Sequence, residues 1–235
     1  MAVKLRTIGF DADDTLWHNE RFFQLTQAHF QELLASYSDA EDLDARLLAA
    51  EKRNLGHYGY GVKGFVLSMI ETAIEVTEGR VPGHVIQQIV EAGRDMLDHP
   101  MELLPHAKDA VETVSGQYHV LLITKGDLLH QERKLAQSGL GPLFDGVEIV
   151  SDKTPQTYAA IFANCAGGAE AALMVGNSLK SDVIPPLEIG AWGVYVPHDL
   201  QWDLEHADKP DLPRFRELRD LSGVADLIDE INHTF

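Results

Sequence analysis

The chain has 235 residues, 45% of them apolar and 24% charged, which suits one large globular domain or a core with a smaller inserted one. Thirty-seven acidic residues against nineteen basic ones give a formal net charge of −18, a field that repels nucleic acid and anionic membranes and argues against both as partners. The same field repels phosphate, so a phosphate site in this chain must reverse the sign locally.

The first residues lack the charged, apolar and small-residue order of a secretion signal. No apolar run reaches membrane length, so the sequence predicts a cytoplasmic protein. Leu5–Phe10 predicts a short buried strand. It runs into Asp11-Ala12-Asp13-Asp14-Thr15. A strand sends carboxylates at Asp11 and Asp13 to one side, because side chains alternate with a period of two. Crowded anions are costly unless a cation or a reacting group needs them. Clusters of this kind hold Mg²⁺, or place a carboxylate to attack phosphorus. An acidic turn with Asp14 capping the next helix is the plain alternative.

From Thr15 to His99 there is no convincing strand. Gln24–Ser36, Ala40–Arg53, Gly64–Thr77 and Val85–Leu97 carry apolar residues at helical spacing, which predicts an all-α insert. The glycine-dense connection 56–64 reads as a loop. Its Tyr58, Tyr60 and Lys63 are candidates to bind substrate, since glycine allows close approach and lysine suits an anion. Local packing of an exposed loop is the alternative. Pro105–Ser115 predicts the helix entering the second strand.

Beyond it, predicted strands Val120–Thr124, Val147–Ser151, Leu173–Asn177 and Val194–Pro197 alternate with helical stretches Leu128–Ser138, Thr157–Ala166 and 182–188, the last interrupted by Pro185-Pro186. That alternation implies right-handed crossovers and an α/β fold, a doubly wound Rossmann-like parallel sheet. The expected division is a core of residues 1–16 and 100–235 and a helical domain of residues 17–99. The single cysteine, Cys165, excludes an intrachain disulfide and reads as a packed thiol in a reducing compartment. The eleven histidines show no metal-ligand spacing. The stretch 197–202 follows the fifth strand and either lines the substrate cleft or packs at the surface, the plainer reading.

Open parallel sheets bind ligands beyond the carboxyl ends of their strands. The residues just past each strand are chemically pointed: Asp11, Asp13 and Thr15; then Thr124, Lys125, Gly126 and Asp127; then Asp152 and Lys153; then Asn177, Ser178, Lys180 and Asp182. Singly, Thr124 is a strand-end residue, Lys153 a solvated charge and Asn177-Ser178 a helix cap. Together they make a phosphoryl-transfer site. Asp11 is the candidate nucleophile and Asp13 the candidate acid/base. Thr124, the N–H groups of Lys125 and Gly126, and Lys153 are candidates to hold the phosphoryl oxygens. Asp11, the Asp13 backbone, Asn177 and Asp182 are candidates for Mg²⁺.

These four motifs, in this order, resemble those of the haloacid dehalogenase-like (HAD) hydrolase superfamily, of the type with a helical cap (C1 cap) inserted after the first strand. The resemblance spans Lys4 to Pro197, with the cap matching in position and helical character. It implies a Mg²⁺-dependent phosphomonoester hydrolase that acts on a small phosphorylated metabolite through an aspartyl-phosphate, as a monomer or homodimer. The superfamily's phosphatases keep an acid/base Asp two residues after the nucleophile and its dehalogenases lack it, so Asp13 favours phosphoryl chemistry. Two positions depart: the family usually has Gly where Asp14 stands and Asp where Asn177 stands. A phosphotransferase or mutase, a 2-haloacid dehalogenase and a non-catalytic binding module are the competing readings, in that order.

Overall fold

A computed structural model describes residues 4–234, in two compact units. The first is the N-terminal segment through His18, Met101–Lys125, and the chain from Gln131 onward; the second is Asn19–Pro100 with Gly126–His130.

The first unit is built on six parallel strands: β1 (Thr7–Phe10), β2 (His119–Lys125), β3 (Gly146–Val150), β4 (Ala172–Gly176), β5 (Trp192–Tyr195) and β6 (Phe215–Glu217). Their order in the sheet is β3-β2-β1-β4-β5-β6. β1 lies inside the sheet between β2 and β4, with Phe10 opposite Leu122 and Val175. The chain order thus reverses at β1, and a switch point of this kind opens a ligand crevice at the carboxyl ends. All four β1 residues are buried, as strands covered on both faces require. One side of the sheet packs Ile8, Phe10, Val120, Leu122, Val175 and Val194 into a core. The other packs Leu121, Ile123 and Met174 on Tyr158 and Phe162.

Five strands fall where the apolar runs placed them, within a residue or two. The sixth, Phe215-Arg216-Glu217, has no apolar run to announce it and is held at the sheet edge by pairing with β5. Helices α5 (Ala107–Val114), α6 (Leu128–Ser138), α7 (Pro155–Ala163), α8 (Ile184–Glu188) and α9 (Val224–Thr234) alternate with the core strands. Pro185 and Pro186 do not interrupt a helix. They sit in the first turn of α8, after a π-helical turn at Leu179–Val183, where the backbone N–H groups have no helical partner to lose.

The second unit holds α1 (Glu20–Leu34), α2 (Ala40–Tyr58), α3 (Val62–Val76) and α4 (Gly83–Asp98). Its own core includes Phe30, Leu43, Leu47, Phe65, Met69 and Ile89. The expected loop 56–64 is shorter than its glycines suggested: α2 runs on through Gly56, His57 and Tyr58, leaving Gly59–Gly61 as the turn. Gly59 and Gly61 have φ of 72° and 113°, and only there does the turn need glycine. Asp14 does not cap a helix, since α1 begins at Glu20 with Asn19 before it.

Candidate active site

β1 delivers Asp11 as its next residue, and the Asp11 N–H still donates to Val175 O at 2.9 Å, so the nucleophile candidate is fixed to the sheet. Its side chain has two partners. Thr15 Oγ1 donates to Oδ2 at 2.9 Å, and the Lys153 ammonium bonds Oδ1. Lys153 is held just ahead of α7, whose N-cap Thr154 accepts from the Thr157 N–H and whose first residue is Pro155. Such a cap and proline fix where the helix starts. The Lys153 ammonium also donates to Asp182 Oδ1 at 2.7 Å. Burial disfavours the charge on Lys153, but Asp11 and Asp182 outweigh it and raise its pKa well above the ordinary value. Burial and the nearby Asp11 push Asp182 up to about 7, against Lys153 and the Ser178 N–H.

Asp13 lies 21% exposed among three donors. Trp17 Nε1 donates to Oδ1 at 2.6 Å, Lys134 Nζ to the same oxygen at 2.5 Å, and Gln131 Nε2 to Oδ2 at 2.8 Å. Burial raises its pKa, yet the Lys134 charge and these hydrogen bonds win and hold the carboxyl below its usual range.

Asp14 has φ 60°, the left-handed region that glycine prefers and Asp tolerates. This accounts for the glycine that the resembled family usually carries there.

Asn177 Oδ1 lies 3.1 Å from the Asp13 carbonyl oxygen and 3.2 Å from both Asp11 Oδ2 and Thr15 Oγ1. As an oxygen, it faces two other acceptors across a space that a hard cation with oxygen ligands would fill. With the amide turned over, its nitrogen donates to all three atoms. Asp11, the Asp13 carbonyl and Asn177 thus fit Mg²⁺ as a mixed set. Among the described residues no three His, Cys, Asp or Glu side chains gather as a metal site. Asp182, expected among the ligands, is engaged elsewhere: Oδ1 takes Lys153 and Oδ2 takes the Ser178 N–H at 3.0 Å.

Thr124 lies near the end of β2, 1% exposed. Lys125 and Gly126 come next, the latter with φ 135°. Lys125 turns its ammonium to Ser181 Oγ at 2.8 Å and Glu205 Oε1 at 2.5 Å. In the helical unit, Tyr58 donates to Glu71 Oε1 at 3.2 Å. Lys63 pairs with Asp127 at 3.2 Å, and Tyr60 is half-buried.

Sequence reasoning gave Thr15 no role and missed Trp17, Gln131, Lys134 and Glu205. Gln131 and Lys134 carried a readable signal: two polar residues three apart lie on one face of α6, a helix that comes after a phosphate motif. Glu205 had none, because its loop has no periodicity. The stretch 197–202 is more than surface packing, since His198 Nε2 approaches Asp14 Oδ1 at 3.8 Å with both side chains largely buried.

Residues 5–189 match the family of hydrolases described as haloacid dehalogenase-like hydrolase. A haloacid dehalogenase-like family hydrolase from Xanthomonas campestris is 45% identical, with 99% of this chain and 93% of that one covered and a TM-score of 0.88. The HAD-hydrolase YfnB of Bacillus subtilis, in a structure bound to magnesium, is 19% identical, covers 96% and 99%, and has a TM-score of 0.65. The L-2-haloacid dehalogenase of Xanthobacter autotrophicus, with chloropropionic acid covalently bound, is 15% identical, covers 96% and 98%, and has a TM-score of 0.63. No curated protein matches. The family match and the Xanthomonas relative together establish that this chain belongs to the haloacid dehalogenase-like hydrolases.

Proposed function

We propose that this hydrolase is a Mg²⁺-dependent phosphomonoesterase acting on a small phosphorylated metabolite in the cytoplasm, as a monomer or homodimer. The observation that carries the reading is Asp13: a second carboxylate two residues beyond Asp11, gripped by Trp17, Gln131 and Lys134. An Asp11 carboxylate oxygen attacks phosphorus, and the P–O bond to the alcohol breaks with its electron pair on the leaving oxygen. Asp13 in its protonated form gives that oxygen a proton. As a carboxylate, the form Lys134 favours, it takes a proton from the water that hydrolyses the aspartyl-phosphate. Lys153 and the Thr124 hydroxyl, with the N–H groups of Lys125 and Gly126, hold the phosphoryl oxygens. Asp11, the Asp13 carbonyl and Asn177 would hold Mg²⁺, whose charge would offset the repulsion between carboxylate and phosphate dianion. Substrate selection is assigned to the helical residues 17–99, with Tyr58, Tyr60 and Lys63 as the binding candidates.

A panel of phosphorylated metabolites assayed with Mg²⁺ tests the reading. We expect release of inorganic phosphate from at least one, abolished in Asp11→Asn with the fold intact. Turnover near wild type in that variant rejects the covalent mechanism. Phosphate transferred to an added sugar phosphate instead of water assigns the chain to the mutases.

One observation favours a second reading. With the Asn177 amide turned over, its nitrogen orients Asp11 without any cation, an arrangement compatible with metal-free displacement at carbon. Chloride release from a 2-haloacid in the presence of a chelator supports that alternative.

A further inference from the structure

After β5 the chain enters a loop containing a short 3₁₀ turn, Asp203–Glu205, and returns to the phosphate motifs. Glu205 is the reason it stays there. Its Oε1 takes the Lys125 ammonium at 2.5 Å, and its Oε2 takes the Ser181 hydroxyl at 2.5 Å and the Ser178 hydroxyl. The Lys180 ammonium donates to Leu204 O at 2.6 Å and Gln201 Nε2 to Glu205 O at 3.2 Å, fixing the turn that carries the carboxylate. Burial raises the Glu205 pKa, but Lys125 and the two serines outweigh it and hold the group below its usual range.

Lys125 directly follows Thr124, and its partner Ser181 precedes Asp182, which bonds Lys153. Lys125 and Glu205 are therefore joined, through Ser178 and Ser181, to the loop whose Asp182 bonds Lys153. Their side chains are 14% and 12% exposed, so the pair is shielded but reachable. The other two lysines of the site are also matched, Lys153 by Asp11 and Asp182 and Lys134 by Asp13. A substrate carrying a second anion next to its phosphate would be drawn to Lys125. There it must displace a carboxylate tethered at high effective concentration and meet the repulsion of that carboxylate once displaced.

We propose that Glu205 is a specificity-determining residue: by occupying Lys125 it selects phosphate esters with an uncharged leaving group against those bearing a second anionic group. The inference rests on the phosphoryl-site reading above. Calorimetry on the full chain with Mg²⁺ tests it without turnover, using inorganic phosphate as the probe with one anionic group and phosphonoacetate, a phosphonate plus a carboxylate, as the probe with two. Glu205→Gln keeps an oxygen acceptor for the serines and removes the charge. We expect it to tighten phosphonoacetate about tenfold more than phosphate. The double variant Lys125→Met/Glu205→Gln should lose that preference, because the responding cation is gone. Thermal melts of both variants check folding. Equal tightening, weaker binding, no binding of either probe, or the same preference in the double variant overturns the proposal. Failure of every phosphate ester to turn over sinks the phosphatase reading alone and leaves this binding ratio to be judged separately.

Discussion

Asn177 and Asp11 place two side-chain heavy atoms 3.2 Å apart, and the identity of the Asn177 atom decides what the contact is. As oxygen it would share a cation with Asp11; as nitrogen it donates to Asp11. An aspartate at position 177 has only the first option. We expect Asn177→Asp to melt lower than wild type in chelator, because two carboxylates then repel, and to gain more in Tm from Mg²⁺ by mass action. Equal magnesium shifts in the two proteins count against the cation between them.

Lys153 holds Asp11 and Asp182 together, and both are buried. Lys153→Met leaves two carboxylates without their cation, and breaking such a buried arrangement costs about 3–5 kcal/mol. Urea unfolding should show that loss together with loss of turnover. A variant as stable as wild type removes the ion pair from the account.

Lys134→Met takes one of three donors from Asp13. Lys134 favours the carboxylate form of Asp13, so its loss should slow base-assisted hydrolysis of the aspartyl-phosphate, a step common to every ester. We expect kcat to fall by a similar factor, about tenfold, on alkyl phosphates and on 4-nitrophenyl phosphate. Lys134→Arg should recover part of the loss. An unchanged kcat, or a fall confined to alkyl phosphates, removes Lys134 from that step.

Glu205 gives a pH dependence of known sign. Its folded pKa lies below its ordinary 4.5, so its stabilisation is complete above about pH 4.5 and fades as pH falls through the folded value. The Tm advantage of wild type over Glu205→Gln should therefore shrink as the solution is acidified from neutrality through that range. An advantage that grows on acidification contradicts the depressed pKa.

Gly176 ends β4 against Asp182. A β-carbon there would lie 2.4 Å from the Asp182 side chain. Gly176→Ala must push Asp182 off Lys153, and we expect about 1–3 kcal/mol of destabilisation, as in other overpacked sites. Unchanged stability and activity show that the turn relaxes freely.

The core strands were legible because each is a compact apolar run, and a sheet buried on both faces leaves no other use for such runs. The motif residues were legible because the sheet sends every strand end to one edge. β6 was not, since edge pairing alone makes a strand of Phe215-Arg216-Glu217. The helical stop near Gly56 misled because two glycines, 59 and 61, take positive φ while Gly56 stays helical. Gln131 and Lys134 share one face of α6, a pattern that pairs them with each other but not with Asp13 about 120 residues earlier, and Glu205 lies 80 residues beyond Lys125 in a loop without periodicity.

The chain leaves the sheet unit through Trp17 and returns through Leu103 as an antiparallel pair, with His18 N–H on Glu102 O at 3.0 Å and Leu104 N–H on Leu16 O at 2.9 Å. Departure and return are thus stapled side by side within the sheet unit itself. Everything from Asn19 to Pro100 is spliced into the chain at this one paired stem, and the only other stretch grouped with it is Gly126–His130, through Lys63 and Asp127. A replacement for those helices therefore has two fixed ends to match and one acidic partner, Asp127, to satisfy.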